Sequence, residues 1–176
     1  MFAVAYLGLG SNSPDKISRL DAAAEAIGRL PGVRISALSS LYLTEPQDVV
    51  DQPWFANRVA EARASAAWTP QAFLGALLGI EAALGRVREG AVRRGPRAID
   101  IDLLTFGDAK TEGAFCALPH PRLFQRAFVL VPLMELNPDL LVGGRSIRDA
   151  LRALVWRKSG RRLYQGGPRH NICLRD

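Results

Sequence analysis

One apolar run and three stretches in which apolar and polar positions alternate predict strands, and apolar residues recur at helical spacing along two further stretches. The predicted strands are Phe2 to Leu9, Val33 to Tyr42, Trp54 to Ala64 and the stretch that follows Pro96. The predicted helices begin at Ser13-Pro14-Asp15, with Ile17, Leu20, Ala24 and Ile27 on one face, and at Thr69-Pro70, with Phe73, Leu74, Leu77, Leu78 and residues 80–84 in the apolar stripe. The order strand, helix, strand, strand, helix, strand predicts the α+β class, with a ferredoxin-like βαββαβ core elaborated into an αβα layered single domain.

The remaining third of the chain predicts shorter elements. Arg126-Ala127-Phe128 leads into a short apolar helix that ends near Asn137-Pro138. Ser146-Ile147-Arg148-Asp149 resembles the capping box of a last helix that runs to about Val155. We therefore expect one domain over residues 1–156 and a basic, loosely ordered tail over residues 157–176.

The first predicted strand ends in Gly8-x-Gly10-Ser11-Asn12. Paired glycines after an apolar run are typical of a tight turn. The third glycine of a dinucleotide-binding fingerprint is absent, because Ser13 occupies its position, and the pattern therefore does not predict a Rossmann site.

Asp100 and Asp102 alternate with Ile99, Ile101 and Leu103. On a strand, the two carboxylates point to the same face and repel each other unless a cation lies between them. Mg²⁺ binds oxygen ligands and commonly takes one or two protein carboxylates together with phosphate oxygens. The pair predicts a magnesium site, and the alternative is a surface pair bonded to nearby arginines.

Five arginines precede this strand, within a segment broken by glycines and a proline: Arg86, Arg88, Arg93, Arg94 and Arg97. The planar guanidinium group binds phosphate through two parallel hydrogen bonds. The segment therefore predicts a phosphate-binding loop, and the alternative is a solvated basic loop.

The segment from Thr44 to Pro53 is too long for a hairpin turn and suits a substrate loop. Phe55, Asn57 and Val59 follow it on one face of the third strand. For a single strand, the default interpretation of this pattern is an aromatic residue in the core beside an edge amide whose hydrogen bonds are satisfied. Pro119-His120-Pro121 carries one of only two histidines in the chain.

The formal charge of +6 indicates an anionic partner, without distinguishing nucleotide, nucleic acid or membrane surface. The two cysteines, Cys116 and Cys173, lack the spacing of a disulfide framework. The N-terminal residues are not typical of a signal peptide, and no apolar run reaches membrane-spanning length. We expect a cytoplasmic monomer that binds neither membranes nor nucleic acids.

Seven motifs in register between Val4 and Leu154 resemble the hydroxymethyl-dihydropterin pyrophosphokinase family of the folate pathway. They are Gly10-Ser11-Asn12, Thr44 with Pro46, Gln52-Pro53 through Phe55 and Asn57, Gly85-Arg86-Val87-Arg88, Gly95-Pro96-Arg97 with Asp100 and Asp102, Pro119-His120-Pro121, and Arg126-Ala127-Phe128. Three features depart from the family pattern: Arg94 replaces a frequent tryptophan, the arginine loop is one residue longer, and Phe55 stands where tyrosine also occurs.

The resemblance implies two substrates, ATP and a dihydropterin alcohol, and two Mg²⁺ ions. It implies Asp100 and Asp102 as metal ligands, and Arg86, Arg97 and Asp102 as the catalytic residues. The implied ATP-binding residues are Arg86, Arg88, Arg97, Leu103, His120 and Arg126. The implied pterin-binding residues are Thr44, Glu45, Pro46, Phe55, Asn57 and Phe128, with the ring between the two phenylalanines.

The reaction implied by the resemblance is attack of the pterin hydroxyl on the β-phosphorus of ATP, with AMP as the leaving group. Asp102 and a metal-bound water remain alternative bases. A small RNA-binding module is the second interpretation, because basic ferredoxin-like domains commonly bind RNA, although the aromatic run of such modules is absent. An acid-base hydrolase is less favoured, since no nucleophile motif accompanies the histidine.

Overall fold

The computed structural model describes residues 2–46, 52–86 and 97–165. Arg88, Arg93 and Arg94 of the arginine-rich segment lie outside these residues. The elements are β1 (Phe2–Ser11), α1 (Lys16–Gly28), β2 (Val33–Leu38), β3 (Tyr42–Thr44), β4 (Phe55–Ser65), α2 (Pro70–Ala83), β5 (Asp100–Phe106), β6 (Thr111–Glu112), β7 (Ala117–Leu118), a 3-10 turn (Leu123–Gln125), α3 (Ala127–Leu136), β8 (Leu141–Val142), β9 (Arg145–Ser146), α4 (Ile147–Arg152), β10 (Trp156–Ser159) and β11 (Arg162–Gln165).

The main sheet has seven strands in the order β10-β11-β3-β4-β1-β5, with β2 also paired to β4. The central strand β1 is antiparallel to both β4 and β5, and β2 is antiparallel to β4. Helix α1 joins β1 to β2, and α2 joins β4 to β5. This is the antiparallel sheet of a ferredoxin-like βαββαβ unit, so the predicted class and core topology are confirmed.

Alternation along β1 and β5 divides the apolar core into two layers. Leu7 and Ile101 pack on the face that α1 and α2 cover, whereas Tyr6 and Leu104 pack on the face that α3 and α4 cover. Burying each large apolar side chain contributes roughly 1.5–3 kcal/mol of transfer free energy, which stabilises a sheet covered on both faces. The predicted αβα layering is confirmed.

The glycine-rich turn predicted after residue 9 is wrong. Gly8 and Gly10 lie inside β1, which continues to Ser11. Gly10 is paired with Asn57 on one side and Asp100 on the other. The cross-strand hydrogen bonds on both sides hold the glycines in extended conformation, and their missing side chains leave space above the middle of the sheet.

The helix boundaries were predicted in part. Thr69 caps α2 by accepting a hydrogen bond from the Ala72 amide at 3.2 Å, and Ser146 caps α4 by accepting one from the Asp149 amide at 3.2 Å. Ser13 does not cap α1, whose N-cap position is Asp15, and Ile17 is 52% exposed rather than buried. Helix α4 ends at Arg152 instead of Val155. No helix within the described ranges combines the length and apolarity needed to span a bilayer.

The single strand predicted from Val33 to Tyr42 is divided into two strands, because the register of its pairing with β4 shifts between them. Val33 pairs with Ala64 in β2, whereas Tyr42 pairs with Asn57 in β3. Ser39 makes the transition: its amide donates to the Val59 carbonyl at 2.9 Å, and its hydroxyl accepts from the Val59 amide at 2.9 Å. At this point the two hydrogen bonds between Ser39 and Val59 take the place of regular strand pairing.

The loosely ordered tail predicted from residue 157 is wrong for residues 157–165. These residues lie in β10 and β11, and β11 pairs in parallel with β3 at the edge of the main sheet. Leu163 is 2% exposed and packs with Tyr42 and Val131. One buried leucine among exposed basic residues gives little sequence signal, yet it anchors the hairpin to the sheet. Residues 166–176 lie outside the described part of the chain.

Candidate active site

Asp100 begins β5 and accepts hydrogen bonds from two arginines. Arg86 donates from Nη1 to Oδ1 at 2.6 Å, and Arg97 donates from Nη1 to Oδ2. Burial favours the neutral acid, but the two guanidinium groups outweigh it, so the pKa of Asp100 lies below its usual value. Asp100 is therefore an anion at neutral pH, balanced by two cations that also suit phosphate.

Asp102 lies two residues further along β5, and its contacts come from the other side of the site. Arg126 donates from Nη1 to Oδ2 at 3.0 Å, and His120 Nε2 lies 3.9 Å from Oδ1. The carboxylates thus have separate cationic partners, three arginines in all among the described residues.

His120 is a neutral imidazole in this arrangement. Burial lowers its pKa below the usual value, against the opposing effect of Asp102. The Arg122 amide donates to Nδ1 at 3.1 Å, so the ring proton is assigned to Nε2, which faces Asp102. His120 can therefore donate one hydrogen bond to an anionic oxygen without adding charge.

Glu81 supports this cluster from α2, and the sequence reasoning missed it. Its side chain is 1% exposed, its Oε1 accepts from the Ile101 amide at 2.7 Å, and its Oε2 lies 3.5 Å from Arg86 Nε. Arg86 also donates to the Ile99 carbonyl at 2.7 Å. A lone carboxylate within the apolar stripe of α2 was the available signal, since buried charges are normally paired.

The Ser11-Asn12 pair ties together the loops on either side of the site. Ser11 donates to the Ala98 carbonyl at 2.6 Å, and Asn12 Oδ1 accepts from the Arg97 amide at 2.8 Å. Asn12 also donates from Nδ2 to Gln52 Oε1 at 3.0 Å. These buried bonds hold the backbone that carries Arg97 against the end of β1.

A cleft of about 380 Å³ opens on one side of the carboxylates. Phe55 and Phe128 line it from β4 and α3, and Asn57 donates from its buried amide to Thr44 Oγ1 at 2.7 Å. We call this space the aromatic cleft. The two phenylalanines approach from different elements, and the missing side chains of Gly8 and Gly10 leave the sheet between them open.

Each ring of the aromatic cleft has an arginine beside it. The guanidinium carbon of Arg97 lies 5.9 Å from the centroid of Phe55, and that of Arg126 lies 5.4 Å from the centroid of Phe128. Both arginines also bind the carboxylate pair, so the aromatic walls and the charged centre are joined by the same side chains.

A second cleft of about 570 Å³ lies on the other side of the carboxylates. Arg86 and His120 contribute polar groups, whereas Leu74, Leu78 and Phe115 provide an apolar end. We call this space the arginine cleft. Both clefts are lined by Arg97, Asp100, Asp102, Arg122 and Arg126. The carboxylate pair therefore stands where the two spaces meet.

The structure brings most of the predicted site residues to these clefts. Thr44 and Glu45 line the aromatic cleft, whereas neighbouring Pro46 is not among the described lining residues. Leu103 is 4% exposed and belongs to the core, on the face of β5 opposite the carboxylates, although it borders the arginine cleft. Arg88 lies outside the described residues. Arg122 and Gln125 line the aromatic cleft and had no motif to indicate them.

A ferredoxin-like sheet with paired carboxylates, surrounding arginines and adjoining clefts is typical of a small transferase that handles phosphate groups. The sequence profile described as 7,8-dihydro-6-hydroxymethylpterin-pyrophosphokinase (HPPK) matches residues 6–138. The chain belongs to this family of pyrophosphoryl-transferring enzymes of folate biosynthesis. Such enzymes use ATP, which implies a metal ion.

Several relatives carry the name 2-amino-4-hydroxy-6-hydroxymethyldihydropteridine pyrophosphokinase. The protein from Methylorubrum extorquens is 48% identical over 150 residues, which cover 85% of this chain and 92% of the relative. The protein from Pseudomonas aeruginosa is 42% identical over 149 residues, which cover 84% of this chain and 90% of the relative. These similarities support the enzyme interpretation and give no support to the RNA-binding alternative.

The fold also resembles solved structures. A crystal structure of HPPK-DHPS in complex with substrates matches with a TM-score of 0.66 and 14% sequence identity. The match covers 87% of this chain and 43% of that one, so this chain spans less than half of the longer protein. At this identity the similarity concerns the fold alone.

Proposed function

We propose that the chain transfers the pyrophosphoryl group of ATP to the hydroxymethyl group of 6-hydroxymethyl-7,8-dihydropterin, with AMP as the second product. One observation carries the assignment of sites: the aromatic cleft and the arginine cleft adjoin, and Asp100 and Asp102 line both. An acceptor in one space and a phosphate donor in the other would then meet at the carboxylate pair, as in-line transfer requires.

The aromatic cleft suits the pterin ring. A flat heteroaromatic ring stacks between Phe55 and Phe128, while Asn57 supplies directed hydrogen bonds to its polar edge. Thr44 fixes the orientation of the Asn57 amide through the bond from Nδ2 to Oγ1. The backbone at Glu45 and Pro46 remains a predicted contact of the ring.

The arginine cleft suits ATP. Arg86 and Arg97 exchange their bonds to Asp100 for bonds to phosphate oxygens, and Arg126 exchanges its bond to Asp102 in the same way. Neutral His120 donates from Nε2 to a phosphate oxygen. Leu74 and Phe115 offer an apolar contact for the base. Arg88 and Leu103 remain predicted nucleotide contacts.

The donor set fits Mg²⁺. No cluster of three or more histidine, cysteine or acidic side chains occurs in the described part of the chain. Asp100 and Asp102 line both clefts, and such a pair matches an ion that takes one or two carboxylates and completes its shell with phosphate and water. Asp100 and Asp102 would hold two Mg²⁺ ions. Bound Mg²⁺ neutralises charge that develops on the phosphate oxygens during transfer.

The protein contributes chiefly orientation and charge stabilisation. Phe55 and Phe128 hold the acceptor so that its hydroxyl faces the β-phosphorus, and Arg86 and Arg97 stabilise the migrating group. A ring bound in the aromatic cleft displaces water that would otherwise hydrolyse ATP. Asp102 is the carboxylate available to accept the hydroxyl proton, and a water molecule is the alternative acceptor. We further propose a cytoplasmic, monomeric enzyme with a single catalytic domain that binds neither nucleic acids nor membranes.

The test is an assay of the purified chain with ATP, Mg²⁺ and the pterin alcohol. Chromatography should show AMP and a pterin diphosphate formed in equal amounts. Formation of ADP would overturn pyrophosphoryl transfer, and tight binding of single-stranded RNA without turnover would favour the RNA-binding alternative.

A further inference from the structure

Gln165, the last residue of β11, contacts the segment that carries Arg126 and Phe128. Its Oε1 accepts a hydrogen bond from the Ala127 amide at 2.7 Å, and its Nε2 donates to the Gln125 carbonyl at 2.7 Å. One amide side chain therefore binds the backbone on both sides of Arg126. We propose that Gln165 is a positioning residue for the reaction, acting through Arg126 and Phe128.

The first bond satisfies a group that the helix itself leaves open. The initial N–H groups of an α-helix have no partner within the helix. Arg126 occupies the N-cap position of α3, and its guanidinium group, which has no hydrogen-bond acceptor, cannot cap the helix. Gln165 supplies the acceptor for the Ala127 amide from another element, while the Arg126 guanidinium group donates to Asp102.

The second bond fixes the turn that precedes α3. Gln125 lies in the 3-10 turn and lines the aromatic cleft. With both Gln125 and Ala127 held at their backbone atoms, the direction in which the Arg126 side chain leaves the chain is constrained. Arg126 then reaches Asp102 at 3.0 Å and lies 5.4 Å from the Phe128 centroid.

The hairpin can carry out this role because it is itself anchored. Leu163 is buried against Val131 of α3 and Tyr42 of β3. Tyr164 meets Trp54 edge to face with centroids 5.4 Å apart, and Trp54 directly precedes Phe55. The hairpin thus contacts the chain next to both aromatic walls, and Gln165 makes the polar connection.

Gln165 can act on catalysis in this way only if the aromatic cleft holds the pterin ring as proposed above. The test compares two variants. Gln165→Met removes both hydrogen bonds but keeps a side chain of similar length, and Gln165→Glu keeps an acceptor for the Ala127 amide. A carboxylate near a helix N-terminus is also electrostatically favourable. Gln71→Met, at an exposed position on α2, is the matched control.

Steady-state kinetics of AMP formation should show that Gln165→Met raises the KM for the pterin about tenfold, within the range expected for the loss of two hydrogen bonds. The change for ATP should be smaller, because Arg126 is one of three arginines proposed to bind its phosphates. Gln165→Glu should recover part of this loss, because it keeps the bond from the Ala127 amide but loses the bond to the Gln125 carbonyl. Gln71→Met should match the parent. Amide hydrogen exchange should be faster at Ala127 in Gln165→Met and unchanged at Ile101, whose partner is Glu81. The exchange measurement reports on the bond directly, even if activity is lost.

Two failures are distinguishable. If the parent forms no AMP from ATP and the pterin alcohol, the proposed function is wrong. If the parent is active but Gln165→Met keeps the parental pterin KM, or Ala127 exchange is unchanged, Gln165 does not position the site. A loss that Gln165→Glu does not recover, with equal effects on both substrates, would mean that the residue is merely structural.

Discussion

The guanidinium group of Arg86 donates from Nη1 to Asp100 Oδ1 across 2.6 Å, so a proposed phosphate ligand and a proposed metal ligand neutralise each other. In the proposed complex, the arginines would exchange their carboxylate partners for ATP phosphates and the carboxylates would bind the metal, so the buried charges would stay balanced. Because this balance needs both carboxylates and arginines, the consequences of removing each can be predicted separately.

Asp100→Asn and Asp102→Asn should each lower kcat strongly. Loss of a carboxylate ligand removes several kcal/mol of charge stabilisation in the transition state, on the order of 100-fold in rate or more. Measurements at varied Mg²⁺ concentration should show little recovery. Asp108→Asn, at an exposed position in the turn after β5, is the control and should leave the rate unchanged. Normal rates in either variant at ordinary Mg²⁺ would exclude the metal assignment.

Arg97→Ala should lower kcat more than it weakens ATP binding, because a clamp on the migrating group acts most strongly when charge redistributes. Arg97→Lys should recover only part of the rate, since an ammonium group cannot form the bidentate contact. Single-turnover rates and calorimetric ATP affinities separate the two effects. Arg63→Ala, on an exposed position of β4, provides the control. Equal losses in affinity and rate would indicate a ground-state phosphate site instead.

Gly10→Ala should impair pterin binding. A Cβ atom at position 10 would lie 2.7 Å from Asn57 Oδ1, closer than real Cβ contacts allow, so the Asn57 amide must move away from Thr44. We expect about a tenfold weaker pterin affinity, the cost of disturbing one directed hydrogen bond. Gly79→Ala on α2, where a Cβ meets no atom within 4 Å, should leave the affinity unchanged and raise stability by about 1 kcal/mol. Parental affinity in Gly10→Ala, by fluorescence titration, would contradict this account.

The sequence predicted the fold because its strongest signals are local. The apolar run from Phe2 to Leu9 and the Thr69-Pro70 cap can be recognised without knowledge of the partner elements. The glycines were misassigned for the same reason. Gly8-x-Gly10 is compatible both with a turn and with a central strand that leaves space above it, and only the pairing of Gly10 with Asn57 and Asp100 distinguishes the two. Leu163 was missed because one buried side chain has no periodicity.

Sequence motifs identified the predicted site residues, whereas only the structure identified the residues that hold them in place. Asp100 and Arg97 stand in a chemically distinctive segment, and the sequence could indicate them. Glu81 and Gln165 act through backbone amides of residues distant in sequence, Ile101 and Ala127. Such contacts leave no pattern along the chain, because they depend on how α2 and β11 pack.

Glu135 should make the stability of the protein depend on pH. It accepts hydrogen bonds from the Ser40 amide at 2.9 Å and the Tyr42 hydroxyl at 3.0 Å, joining α3 to the chain around β3. Burial raises the pKa of Glu135, but these bonds outweigh it and the net pKa is lowered. A lowered folded-state pKa gives stability that is present above the unfolded value and is lost as pH falls through the folded value.

Glu135→Gln should therefore lower the melting temperature at about pH 7, with the difference from the parent shrinking below about pH 4. The carboxylate is exposed, so solvent screening should keep the effect under about 1 kcal/mol. Glu25→Gln, on the exposed side of α1, is the control. A difference that stays constant down to acidic pH would show that the ionisation of Glu135 is not involved.

The two kinds of wall in the aromatic cleft should differ in what they recognise. Phe128 offers a stacking surface that tolerates many rings, so Phe128→Ala should weaken binding of every pterin, by about 1 kcal/mol or more. Asn57 offers directed bonds, and a wrong ring leaves buried polar groups unpaired, so Asn57→Ala should reduce the preference for pterin over other bicyclic rings.

Fluorescence titrations with a pterin alcohol and a bicyclic analogue, with Mg²⁺ and a non-hydrolysable ATP analogue present, measure both effects. Phe2→Ala, 60% exposed at the start of β1, should bind as the parent does. Unchanged pterin binding in Phe128→Ala, or unchanged ring preference in Asn57→Ala, would show that the ring does not lie between these side chains.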